Sequence, residues 1–175
     1  MPRNAPLVLL LATLGAAPVN GQVRPSQHGA VSQTVASTVV ALEYDRPVAR
    51  GRALWGDEGL IDYEALWTPG ANRATWIDFS EDVTVEGHAV PAGRYGVWTI
   101  PREEEAWDVI LVSEWDTHHT YFPFGTEVVR TPVATVEGGH METLVWYFPE
   151  VEGHEATLVM HWGSKLLPLR ILASR

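Results

Sequence analysis

The feature that most constrains this chain is a two-residue hydrophobic rhythm, broken repeatedly by glycine and proline, between Leu66 and Pro101. Trp76-Ile-Asp-Phe79, Asp82-Val-Thr-Val85 and Tyr95-Gly-Val-Trp-Thr-Ile100 each place alternate side chains on opposite faces of an extended backbone. The turns between them, Glu86-Gly87-His88 and Pro91-Ala92-Gly93, leave no room for a helix. The segment therefore predicts antiparallel sheet in a meander, entered through a turn-rich loop from Trp67 to Asn72.

The rest of the chain repeats the pattern. Alternation runs from Val31 to Tyr44 with a break at Ala36-Ser37, and Asp45-Arg-Pro47 stops it. Arg50–Trp55 is expected to be a short strand or bridge, and Gly56–Leu66 a loop with one helical turn at Tyr63–Leu66. Trp107–Val112 is apolar on both parities and is expected to lie centrally, covered on both faces. Val128–Val136 contains Pro132 and predicts an edge or bulged strand. Met141–Phe148 and Ala156–Trp162 predict a hairpin, and Lys165–Leu172, interrupted by Pro168, closes the fold. About ten short strands without an amphipathic helix imply an all-β fold: a single antiparallel β-sandwich or jelly-roll-like domain.

Domain organisation follows from the first thirty residues. Arg3, the apolar run Leu7–Ala17 and the small-residue site Val19-Asn20-Gly21 predict a signal peptide over 1–21. Residues 22–29 are expected to be a polar linker and 30–175 the sandwich. The protein is then exported, periplasmic or extracellular, with no membrane span in the mature chain. The absence of cysteine excludes a lipoprotein tether, disulfides, thiolate metal ligands and a cysteine nucleophile. With 22 acidic against 12 basic residues, the net charge of −10 disfavours nucleic acid as a partner. There is no phosphate-binding glycine loop, dinucleotide fingerprint or Gly-x-Ser-x-Gly elbow.

Several motifs in order resemble one bacterial family: Val31-Ser-Gln33, Tyr44-Asp-Arg-Pro47, Gly51-Arg52, Trp67, Gly70-Ala-Asn72, Thr75, Pro91-Ala-Gly93-Arg-Tyr95, Thr99-Ile-Pro101 and Trp107. Together they are similar to the domain of unknown function 2911, over roughly His28 to Ile171. The resemblance implies an exported all-β protein and brings no established activity. In the family pattern the tryptophan is often followed by arginine and the asparagine by an acidic residue. Thr68 and Arg73 stand at those places here, which alters the charge of the loop.

Two groups of residues could carry chemistry. Tyr44, Arg46, Arg52, Trp67 and Asn72, with Arg73 beside them, combine guanidinium, aromatic and amide groups suited to a carboxylate, phosphate or sugar. The alternative use of the same residues is structural, with Arg46 and Arg52 paired to Asp45, Asp57 or Glu58 and Asn72 capping a turn. The second group is Asp116, His118 and His119, donors suited to zinc or copper. Neighbours on an extended chain point apart, so both imidazoles rarely serve one ion. The sequence thus predicts a module that binds a small polar ligand or protein partner around Trp67–Asn72 without a cofactor. The alternative is a metal-binding protein or metal-dependent hydrolase using the histidine loop.

Overall fold

The structure, a computed structural model, describes residues 24–121 and 125–174. The segment read as a signal peptide lies outside them. Among the described residues there is no helix, hence none long and apolar enough to cross a membrane. Ten strands form two antiparallel sheets. The first sheet contains β1 (Gln27–Val35), β2 (Thr38–Arg46), β3 (Trp76–Phe79), β6 (Gly93–Ile100), β7 (Trp107–Val112) and β8 (Glu127–Val133), in that spatial order. The second runs β5 (His88–Val90), β4 (Val83–Val85), β10 (Glu155–Ala173) and β9 (Val136–Glu152). β1 begins inside the segment read as linker.

The meander predicted for 76–100 is divided between the two sheets. β3 pairs directly with β6, Trp76 opposite Gly96 and Phe79 opposite Gly93, while the β4–β5 hairpin joins the other sheet. The chain leaves the first sheet after Phe79 and returns before Gly93, and the Ala92 amide donates to Asp82 Oδ1 across the two crossings at 2.8 Å. Glu86 and Gly87 both take positive φ, 48° and 83°, as a two-residue hairpin turn matching the twist of its strands requires. Periodicity marked β3, β4 and β6 but not the short β5, whose first residue was read as part of a turn, and it carried no information on which sheet each strand would join.

Inward-facing residues of both sheets share one core. Leu42, Ile77, Phe79, Val97, Val109 and Leu111 from the first sheet belong to the same cluster as Val85, Leu144, Leu158, Met160, Leu167 and Ile171 from the second. β7 is covered on both faces: Trp107, Val109 and Leu111 face this core, and Ile110 and Val112 face a smaller one with Ala74 and Trp98. At one end Trp55 contacts Trp67, Trp107 and Trp162 edge-on, with ring centroids 5.6, 4.9 and 5.8 Å away.

The two prolines expected to interrupt strands, Pro132 and Pro168, fall where a missing amide does least harm. Pro132 is in β8, an edge strand. Pro168 lies between the stretch of β10 registered with β9, which ends at Leu166, and the stretch registered with β4, which starts at Ile171. β9 and β10 are longer than the alternation indicated, because three register shifts between Thr157 and Lys165 let each pairing continue through a break in parity. The helical turn expected at Tyr63–Leu66 does not form. Glu64 adopts φ 61° and its amide donates to Pro101 O at 2.9 Å, which takes the chain out of right-handed helix.

Trp107 is fully buried and its indole N–H donates to Arg102 O at 2.9 Å. Trp107→Ala is therefore expected to lower the unfolding free energy by about 3–5 kcal/mol. Urea denaturation followed by far-UV circular dichroism measures it, and a loss under about 1 kcal/mol would contradict this account of the core.

Candidate functional site

The site is built on the loop that precedes β3. Trp67 exchanges both backbone hydrogen bonds with Thr99 of β6, at 2.8 and 2.7 Å, and Val97 N donates to Thr75 O at 2.8 Å. Both ends of the loop are thus fixed to one strand. Between them the fully buried Thr68 hydroxyl donates to Val97 O and accepts from Thr75 N, at 2.8 and 2.9 Å. The Thr75 hydroxyl donates to Pro69 O at 2.9 Å, and Trp146 Nε1 donates to the same carbonyl at 3.2 Å. Gly70 is packed so closely that a Cβ there would stand 2.5 Å from Thr75 Oγ1.

The second half of the loop leaves this anchor and meets the aromatic, histidine-rich segment that follows β7. Asn72, at φ 59°, turns its carbonyl to accept from His119 N at 3.2 Å. Ala74 N donates to Thr117 O at 3.0 Å, Arg73 and His118 form an isolated antiparallel bridge, and the Arg73 guanidinium pairs with Asp116. The irregular segments before Thr75 and after Glu114 therefore share one mouth, over the outer face of β2, β3 and β6.

Beneath this mouth is a pocket of about 310 Å³ lined by His28, Glu43, Tyr44, Asp45, Arg73, Ala74, Trp76, Arg94 and Trp115. Alternation explains the lining. Leu42, Ile77 and Phe79 point into the core, so Glu43, Asp45, Trp76 and Asp78 point outward. Arg94 lies opposite Asp78 and pairs with it at 2.9 Å. Its guanidinium carbon lies 3.8 Å from the Trp76 ring centroid and 4.6 Å from that of Trp115. A second concavity, of about 330 Å³, shares Arg73 and adds Asp116, Thr117, His118 and Tyr121.

The residues singled out from sequence fall into different places. Tyr44 lines the pocket but is buried, and its hydroxyl accepts from Trp146 N at 2.9 Å. Arg46 donates through Nε to Leu144 O at 3.1 Å, tying the end of β2 to β9. Arg52 donates to Ala49 O and Val48 O, at 2.8 and 2.9 Å, and folds back on its own loop. Neither arginine forms an ion pair with Asp45, Asp57 or Glu58, and neither lines the pocket. Trp67 is buried, stacked on Trp162 at 6.1 Å. Asn72 stands at the mouth with its Nδ2 buried and unpartnered among the described residues. Glu43, Trp76, Arg94 and Trp115 were missed. The available signal was parity: Trp76 and Asp78 are out of phase with the core residues Ile77 and Phe79.

Residues 26–171 match the family described as protein of unknown function, DUF2911. The chain belongs to the DUF2911 family. Comparison with curated proteins and with solved structures returned no match.

In this DUF2911 domain the three proposed metal donors are neighbours with separate engagements. The His118 and His119 rings lie 4.6 Å apart, His118 Nδ1 is 2.8 Å from Thr120 Oγ1, and Asp116 is held by Arg73. No group of three or more histidine, aspartate or glutamate side chains among the described residues is arranged to hold a metal ion. Burial, and then the neighbouring His118, push the His119 pKa below the ordinary histidine value, and Asp45 opposes them.

Two outcomes follow from this geometry. Gly70→Ala is expected to cost about 1–3 kcal/mol, since its methyl group has to displace a hydroxyl that is hydrogen-bonded inside the protein. An unchanged urea midpoint would contradict that packing. For His119, the unfolded chain takes up its proton at a higher pH than the folded one. Stability from this group is therefore complete above about pH 6.5 and is lost as pH falls toward the lower folded value. His119→Gln should flatten that part of the stability–pH curve, and an identical curve in the variant would contradict the assignment.

Proposed function

We propose that this DUF2911 protein is an exported binding module that holds a small polar ligand in the pocket bounded by Asp45, Arg73, Trp76, Arg94 and Trp115. The observation that carries the reading is Asp45. Its side chain opens onto a pocket of about 310 Å³, the residue is only 9% exposed, and its carboxylate has no hydrogen bond or ion pair among the described residues. A largely covered carboxylate without a protein partner is poorly compensated, and a ligand that donates to it completes the pairing. The pocket volume is at the lower end of the range for small-molecule sites. Its position over a rigid sheet, with walls drawn from loops, is where binding residues concentrate.

The test is a thermal-shift screen of sugars, amino acids, amines, carboxylates and phosphates against wild type, Asp45→Asn, Trp76→Ala and Arg52→Ala. At least one class is expected to raise the melting temperature of wild type and of Arg52→Ala, whose side chain is off the pocket. The shift should be lost in the other two variants. No shift for any class, or equal shifts in all four proteins, would end this reading.

A transition-metal site at the same mouth is a second reading, supported by the His118–His119 ring separation of 4.6 Å. It requires Asp116 to exchange Arg73 for the ion. Zinc or copper titration, monitored by calorimetry with His118→Ala as control, distinguishes it. Uptake that the substitution leaves unchanged would remove it.

A further inference from the structure

The charges around the pocket are unevenly matched. Each guanidinium on its wall already faces a carboxylate: Arg94 pairs with Asp78 at 2.9 Å, and Arg73 pairs with Asp116. The carboxylates of β2 are not matched in return. Asp45 has no partner among the described residues, and Glu43 has only the exposed imidazole of His28, 3.6 Å away. Glu43 and Asp45 are two positions apart on one strand, hence on one face and roughly 6–7 Å apart along it.

The aromatic groups point the same way. A sugar is usually held by stacking on an open ring face. Here the guanidinium of Arg94 already covers Trp76 and Trp115. A ligand entering beside Arg94 finds a face of each ring already taken by a guanidinium, with the carboxylates of β2 beside it. An anion would meet two guanidinium groups whose charge is already balanced and two carboxylates whose charge is not.

We propose that the ligand of this pocket is an organic cation, a small molecule whose protonated amine is received between Asp45 and Glu43. This rests on the reading of the pocket as a ligand site and adds the sign of the ligand's charge. A primary ammonium has three donors, enough to bond the pocket-facing carboxylate of Asp45 and still reach Glu43. Binding removes the unpaired charge from the pocket wall, so it should weaken with added salt less steeply than binding to the acidic exterior.

A matched series separates the possibilities: butane-1,4-diamine, butane-1,4-diol and succinate, which share a four-carbon chain and differ in charge. Calorimetry and thermal shift on wild type should show binding of the diamine and not of the diol or succinate. Asp45→Asn should weaken diamine binding roughly tenfold or more, and Glu43→Gln, an exposed and structurally undemanding change, by a smaller factor. Binding of succinate or the diol in preference to the diamine would overturn the cation assignment and leave the pocket as a ligand site. Diamine binding that is equal in wild type, Asp45→Asn and Glu43→Gln would also overturn it, by placing the amine on the acidic exterior. If none of the three binds while another class in the wider screen does so at this pocket, the charge assignment fails alone. If nothing in either set binds, both fail together.

Discussion

The reciprocal backbone pair between Trp67 and Thr99 is the constraint on which the site depends. It extends the β3 edge of β6 beyond β3 itself, so the chain is committed to the sheet twice, first at Trp67 and again at Thr75. The buried hydroxyls of Thr68 and Thr75 then satisfy the polar groups that such a loop would otherwise leave without water or partner. With the first half held this tightly, the second half has little freedom, and Asn72–Ala74 is presented at a fixed height above β2 and β3. The contact with the segment after β7 follows from that height.

What a tight anchor provides is an open neighbour. Trp67 contributes by filling the end of the core with Trp55 and Trp162, Arg46 by tying the end of β2 to β9, and Arg52 by closing its own loop. None of the three meets the pocket. The groups that do are ordinary strand residues of outward parity, made into a site by a roof from two irregular segments. Asp45 shows the change most clearly. On an uncovered sheet it would be fully solvated; under the roof the residue is 9% exposed and faces the pocket.

The strands were legible in the sequence because alternation and turn residues are local signals. Glu86-Gly87 specified its hairpin, the two-sided pattern of Trp107–Val112 specified a doubly covered strand, and Pro132 specified an edge. Sheet membership was not legible, since β4 alternates as well as β3 does. For the candidate site, the sequence pointed to the Trp67–Asn72 loop that roofs the pocket, while Arg46, Arg52 and Trp67 fall outside the pocket lining. Arginine and tryptophan were weighted by chemical type. The more telling quantity was phase relative to the core, which places Trp67 inside, Trp76 outside, and Asp45 on the same face as Glu43. Whether a carboxylate two residues from another is paired depends on partners such as Arg94 and Arg73, which come from elsewhere in the chain.

β10 joins β9 through its first part and β4 through Ile171–Ala173, and it occupies the interior of the second sheet. A hairpin made early, β4–β5, has to wait for residues synthesised some eighty positions later before it gains a second neighbour. During folding the first sheet can therefore assemble ahead of the second, with its inner face uncovered in the interval. Closing that long loop carries an entropic cost that no single turn of the first sheet has to meet.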